Sequence, residues 1–251
     1  MAKYPRRVSQ LPHLTRVQKL RLFLNRRLRV VARFLYYRHA GAQERPVYFD
    51  VARICPELVR IDENWDVISE ELGEVLKGRT AIPRYHEVDP LQKDISAEEG
   101  NAWRTFIVYR LAEGGRSEGS KQCPRTAEIL ESLPGCLQAF FSILEPGHSI
   151  PAHNGPNLHY LRYHTAFVVP TDAPPTIRIR DTYYTWKERE SVLFDDSYNH
   201  EIYNRSQELR VVLIVDVLRP APWPAATLMR FVLWNLGSVM RRARGRAAAS
   251  A

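Results

Sequence analysis

Cysteine is scarce in this sequence. Of 251 residues only Cys55, Cys123 and Cys136 are cysteines, an odd number with no C-x-x-C pair. That excludes a disulfide framework, offers no structural zinc signature and favours a reducing compartment. The amino-terminal stretch MAKYPRRVSQLPHLTRVQK has no apolar h-region and no small-residue cleavage site, so no secretory signal is read and a cytoplasmic location is expected. Internal repeats are missing, and low complexity is confined to the tail AAASA. Disorder is excluded by what remains: 45% apolar and 10% aromatic residues are enough for one good-sized core.

Acidic residues are missing from both ends. Residues 1–41 carry 11 Lys and Arg and no acid, and residues 217–251 carry six Arg and no acid, which leaves 19 basic against 28 acidic residues between them. An acidic body with two basic ends is a different object from a basic domain, and it predicts appendages that meet an anionic surface. From Thr15 to Arg38 there is no Gly or Pro, and Leu20, Leu24, Leu28, Val31 and Leu35 recur at three- or four-residue spacing, which predicts a basic amphipathic helix. Whether it packs on the core or lies on a membrane is open. ATLMRFVLWNLGSVMRRARG, after Pro220, Pro222 and Pro224, predicts a second helix. It is interrupted by Arg230 and Asn235 and falls short of the roughly 20 apolar residues a membrane span needs.

Two further helices are predicted in ENWDVISEELGEVLKG and PRTAEILESLPG. Beyond them LQAFFSILEP, LRYHTAFVVP, PTIRIRDTYYTW, ESVLFDDS and RVVLIVDVLRP are short runs rich in β-branched and aromatic residues, bounded by turn formers. Strands in succession without helical crossovers favour an antiparallel sandwich or jelly roll. The segments around His86 and from Asn101 to Arg110 precede this region as candidates for a substrate entrance. Five of the eight histidines, His148, His153, His159, His164 and His200, fall within the β-rich part. Neutral imidazole is the commonest ligand for intermediate metals, so the clustering invites a metal reading. The usual oxygenase signal is His-x-Asp or His-x-Glu, and here the acidic position is Gly155. His148 and His159 lie in loop-like segments and are expected to be exposed or on the substrate side. Asp195 and Asp196 are read as shaping the turn before His200, and Trp186 as a core anchor.

The segments FSILEPGHSIPAHNGPNLHYLRYHTAFVVP and SVLFDDSYNHEIYNRSQELRVVLIVDVLRP, joined through the Trp186 turn, carry a distinctive set of motifs. They include Pro-Gly before the first His, His-x-Gly-Pro after it, Phe-Asp-Asp-Ser before the second, and Arg followed six residues on by Asp-Val. The set resembles the aspartyl/asparaginyl β-hydroxylase family over roughly residues 46–219 and leaves both basic ends uncovered. That family lacks the acidic iron ligand, so Gly155 conforms to it. The resemblance implies a mainly β fold, a double-stranded β-helix (jelly roll) with flanking α-helices, and a hydroxylase dependent on iron(II), 2-oxoglutarate and dioxygen. It puts His153 and His200 on the iron, Arg210 and Ser142 on the distal carboxylate of 2-oxoglutarate, and Arg162 and His164 on its metal-proximal end. Strand alternation agrees for the last pair: residues 162 and 164 share a face, 161 and 163 the other.

Three segments follow: a basic amphipathic arm over 1–45, the catalytic domain over 46–219, and a basic helix and tail over 220–251. The expected substrate is an acyl chain of a membrane lipid, with Asp or Asn of a peptide as the alternative. The basic ends favour the former, and a peripheral position at the inner face of the membrane. A non-enzymatic protein working through its basic arm on nucleic acid is disfavoured, because the body is acidic and phosphate binding does not explain the arm's apolar stripe.

Overall fold

A computed structural model describes residues 15–40, 45–88, 93–96, 103–235 and 238 of the chain. Its strands are β1 (Tyr48–Phe49), β2 (Trp103–Arg110), β3 (Gly115–Arg116), β4 (Cys136–Leu144), β5 (Ile150–Asn154), β6 (Tyr160–Val168), β7 (Thr176–Ile179), β8 (Thr182–Thr185), β9 (Ser191–Phe194), β10 (Asn199–Tyr203) and β11 (Arg210–Leu218). They form a seven-stranded sheet in the order β1-β9-β6-β11-β4-β2-β3 and a four-stranded sheet in the order β5-β10-β7-β8. All pairings are antiparallel. From β4 to β11 the chain alternates between the sheets except at the β7–β8 hairpin, where it turns back, so that β9, β10 and β11 interleave with β6, β5 and β4, which is the strand order of a double-stranded β-helix.

Two-residue alternation divides the three longest strands cleanly. Odd-numbered residues Val211, Leu213, Val215 and Val217 of β11, Ala139, Phe141 and Ile143 of β4, and Leu161 and Tyr163 of β6 join an outer core. There they pack against the helices Trp65–Lys77 and Pro124–Glu131. Even-numbered Phe140, Leu144, Val212 and Ile214 face the smaller sheet and form the inner core with Ile150, Ile177, Ile179 and Ile202. Both faces of β11 are therefore covered, and all nine of its residues are buried. Any polar even-numbered residue on these strands is carried into the barrel.

The termini make a third layer. The helix Arg16–Ala40 packs Ala32 and Tyr36 against Leu218, Ala225, Met229 and Val232, the last three from a helix over 225–235. Asn25 Nδ2 donates to the Val232 carbonyl (2.7 Å) and the Tyr36 hydroxyl to that of Arg219 (3.0 Å), pinning the pair to the end of β11. The packed face is Gln18, Asn25, Ala32 and Tyr36, and the predicted apolar stripe meets it only in part: Leu28 and Leu35 pack at its edge, whereas Leu20, Leu24 and Val31 are exposed. The basic residues after Ser238 lie outside the described residues. Among the described residues no helix is long and apolar enough to cross a membrane.

Candidate active site

His153 and His200 stand directly opposite each other on the antiparallel pair β5 and β10. Their rings lie side by side, centroids 4.2 Å apart. Each Nδ1 is 2.8 Å from a backbone carbonyl two residues earlier, that of Pro151 for His153 and of Tyr198 for His200. A carbonyl only accepts, so both Nδ1 atoms carry the proton and both Nε2 atoms keep a lone pair. A second partner that fixes tautomer and ring orientation is the usual arrangement behind an imidazole ligand. Burial lowers both pKa values, that of His200 to about 3 with His153 adding to the effect, so the pair is neutral and able to ligate at neutral pH. Among the described residues no group of three His, Cys, Asp or Glu could hold a metal, so the two imidazoles stand without a third protein ligand. Gly155 explains why: a Cβ there would lie 2.5 Å from Asp196 Oδ1, so no side chain fits at that position.

The remaining polar residues enter through the even positions. Ser142, His153, Arg162, His164 and His200 line one cleft between the sheets, walled by Ile177, Phe194, Ile202 and Ile214. Arg210 sits behind it, fully buried, with Nη1 3.4 Å from Ser142 Oγ and Cζ 4.0 Å from the centre of the Trp186 ring. Ser142 Oγ also accepts from Trp103 Nε1 at 2.9 Å, which leaves its own proton for another acceptor. Arg210 has no acidic partner among the described residues, and its Nε and Nη2 have no hydrogen-bond partner. Burial pushes its pKa down to about 9, still charged at neutral pH. His164 is equally isolated: neither ring nitrogen has a partner, and burial followed by Arg210 and Arg162 holds it well below the ordinary histidine range. A buried unpaired guanidinium is costly unless an anion joins it.

Arg162 differs. Its Nε and Nη2 grip Asp216 (2.7 and 3.0 Å) and its Nη1 meets Asp196 Oδ2 at 3.0 Å. The two carboxylates outweigh burial and raise its pKa. Most of its donors are engaged, so it holds the cleft wall in shape and has little left for a ligand. Asp196 is itself clamped by Arg162 and by the Tyr160 hydroxyl (2.9 Å), with Oδ1 unpartnered. Burial lifts its carboxyl above the ordinary range, Arg162 opposing and Asp216 adding. Asp195 does shape the turn, accepting from Ser197 N, and it also pairs with Arg45 and Arg219 at 2.6 Å each.

One alternative is corrected, the exposure of His159, and two readings gain detail. His159 is buried, 8% exposed, because the Arg16–Ala40 helix covers its loop. Trp186 is a core residue but also the platform for Arg210, and its ring stacks on His164 at 5.9 Å. The stretch from Asn101 to Arg110 is largely strand β2, paired with β4 and delivering Trp103 to Ser142. Trp103 and Asp216 were not read as site residues. A charged residue within VVLIVDVL, at the same parity as Arg210, was the available signal for Asp216.

The fold and this site define a double-stranded β-helix protein with a polar cleft between its sheets, in which two histidines stand side by side. The pattern of the aspartyl/asparaginyl beta-hydroxylase family matches residues 62–220, and the chain belongs to that family. It is a hydroxylase. It is 36% identical over 207 residues to the ornithine lipid ester-linked acyl 2-hydroxylase of Rhizobium tropici, covering 82% of this chain and 70% of that one. It is 31% identical over 195 residues to the aspartyl/asparaginyl beta-hydroxylase of Homo sapiens, covering 75% of this chain but only 24% of the human protein. An RmlC-like cupin family protein with a double-stranded beta-helix fold from Methanocaldococcus jannaschii overlaps 34% of this chain and 73% of its own at 16% identity and a TM-score of 0.28.

Proposed function

We propose that this chain is an iron(II)- and 2-oxoglutarate-dependent dioxygenase that hydroxylates an acyl chain of a membrane lipid. The observation that carries the cosubstrate is Arg210: a fully buried guanidinium with two unpartnered nitrogens beside a serine hydroxyl, in the same interior as the paired histidines. An Arg fork suits a carboxylate because its planar donors bind both oxygens at once. His153 and His200 would hold the metal through Nε2. Arg210 and Ser142 would take the distal carboxylate. His164 and the remaining donors of Arg162 would meet the metal-proximal end. Bound there, iron with 2-oxoglutarate and dioxygen supplies an oxidant able to hydroxylate an unactivated C–H bond, giving succinate and carbon dioxide. The chain's own part is positional. Ile177, Phe194, Ile202 and Ile214 exclude water, and the Arg162–Asp216–Asp196 network keeps the cleft wall rigid.

The lipid substrate is supported by the Rhizobium relative and by the outer surface of the Arg16–Ala40 helix. Val17, Leu20, Phe23, Leu24, Val30, Val31, Phe34 and Tyr37 are each 50–63% exposed on the side away from the packed face. Phe231 (50%) and Trp234 (63%) of the neighbouring helix are exposed too. The Arg16–Ala40 helix has no acid, and its arginines are interleaved with the exposed apolar residues, Arg27 lying over the Phe23 ring, a composition suited to contact with an anionic membrane interface. Such an anchor brings the enzyme to an anionic bilayer at the inner face of the membrane. The test is incubation of the full chain with iron, 2-oxoglutarate and either lipid vesicles or an Asp/Asn-containing peptide. Succinate that accumulates with lipid and not with peptide is the expected result; the reverse assigns the chain a protein substrate.

A further inference from the structure

Beside the reactive centre lies a second cleft, between the Arg16–Ala40 helix and the loop 155–159, and the reaction as described makes no use of it. Arg33 and Tyr37 of the helix, Arg45, Gly155, His159 and Ser197 are among its walls, and no carboxylate is. Two acids lie beside it, both fully buried and already engaged: Asp195 is shared between Arg45 and Arg219, and Asp196 is held by Arg162 and the Tyr160 hydroxyl. Arg33 has no ion-pair partner among the described residues. His159 is more than nine-tenths buried, and its Nδ1 has no hydrogen-bond partner. Burial, with Arg33, Arg29 and Arg219 adding, pushes His159 down to about 3, so a neutral imidazole with a donor to offer faces a strongly positive cleft. An oxyanion would relieve both the unpaired charge and the unpartnered nitrogen.

We propose that this cleft seats the anionic head group, carboxylate or phosphate, of the amphiphilic substrate, making the amino-terminal helix a specificity element as well as an anchor. The inference rests on the lipid reading above. Position supports it from both sides. The helix that presents its apolar face to the bilayer contributes Arg33 and Tyr37, so the cleft sits at head-group level when the helix is embedded. Gly155, in the wall of this cleft, is two residues along the chain from His153 in the wall of the other, a span of about 7 Å in extended chain. A head group held here therefore brings to the histidine pair carbons only a few bonds from it, and hydroxylation falls near the polar end of the acyl chain, away from its methyl terminus.

The experiment is calorimetric titration of the full chain with N-dodecanoylglycine and with its methyl ester, both below their micellar concentrations, and with sodium acetate and inorganic phosphate. The acid should bind about tenfold more tightly than the ester, the worth of one charge-assisted contact. Arg33→Glu should erase that preference while the thermal melt stays unchanged, since the Arg33 side chain is exposed. Acetate and phosphate should bind at least about a hundredfold more weakly than the acyl acid, because they lack the apolar tail. Equal binding of acid and ester, or a preference that survives Arg33→Glu, overturns the head-group seat and leaves the lipid reading standing. Free acetate or phosphate binding as tightly as the acyl acid overturns it too, in favour of a site for soluble anions. If neither amphiphile binds, the lipid reading falls and the seat falls with it.

Discussion

Inside the barrel, Arg210 and His164 are polar groups with almost no access to solvent, 0% and 2% exposed, and with vacant hydrogen-bonding positions. On the Arg16–Ala40 helix the situation is reversed: Phe23, Val30 and Phe34 are apolar groups left 54–63% exposed. Folding normally buries the second kind and solvates the first. On the proposed reading each region keeps a free-energy gain that a ligand would realise, an anion in the barrel and an apolar phase at the helix. Between these regions the inner and outer apolar cores close around β11. The two exceptions coincide with the proposed cosubstrate site and the proposed membrane contact.

Substitution at the centre should sharpen the contrast most. His153→Ala or His200→Ala is expected to abolish turnover and metal binding without altering the far-ultraviolet circular dichroism, because neither ring supports the core. Activity retained in either variant would remove the metal assignment. Next in size is Arg210. A charge-assisted contact is worth about 1.5–3 kcal/mol, so Arg210→Ala should weaken 2-oxoglutarate at least about tenfold, with Arg210→Lys a partial rescue. The same site should behave oppositely without ligand: Arg210→Leu removes a buried unpaired charge and should raise the melting temperature of the ligand-free protein. A lower melting temperature there would mean that Arg210 is a structural residue.

At the helix, Phe23→Ser combined with Phe34→Ser should cut sedimentation with anionic vesicles by about tenfold or more, since a buried aromatic contributes about 1.5–3 kcal/mol. Attraction by the arginines alone fades in high salt, whereas apolar insertion leaves a residual, and the double variant should lose that residual. Equal vesicle binding by variant and parent would contradict the anchor. The smallest effect concerns acid. His159 and His200 titrate near 3 in the folded chain, against about 6.5 when unfolded. The unfolded state therefore binds more protons below that value. Their contribution to stability is complete above about pH 6.5 and declines as pH falls toward about 3. Urea melts of the metal-free protein between those limits should show it, and His159→Gln should flatten the slope.

How much of this was legible beforehand divides by range. The five runs of β-branched and aromatic residues are all strands, and ENWDVISEELGEVLKG stops at Gly78 as its pattern predicts. The two strands that carry the histidine pair were not read as strands. IPAHN and NHEIY are half-exposed and polar, with no apolar run to announce them, and they become strands only by pairing with each other and with β7. The burial of His159 depends on a helix more than 100 residues earlier, and the role of Trp186 on a stacking partner 24 residues later, so neither leaves a local trace. Which face of the amino-terminal helix packs is open in the sequence for a related reason. Its Gln18 and Asn25 are buried, Asn25 against the Val232 carbonyl, while Leu28 and Leu35 pack at the edge of that face and Leu20 and Leu24 stay outside.

Coupled product analysis tests the central claim most directly. The full chain, supplied with iron(II), 2-oxoglutarate, oxygen and acyl lipid in anionic vesicles, should yield one succinate for each lipid that gains an oxygen atom, and Arg210→Ala should need at least about tenfold more 2-oxoglutarate for the same yield. Lipid recovered unchanged while succinate forms only with an Asp/Asn peptide, or hydroxylated lipid formed without 2-oxoglutarate, would contradict it.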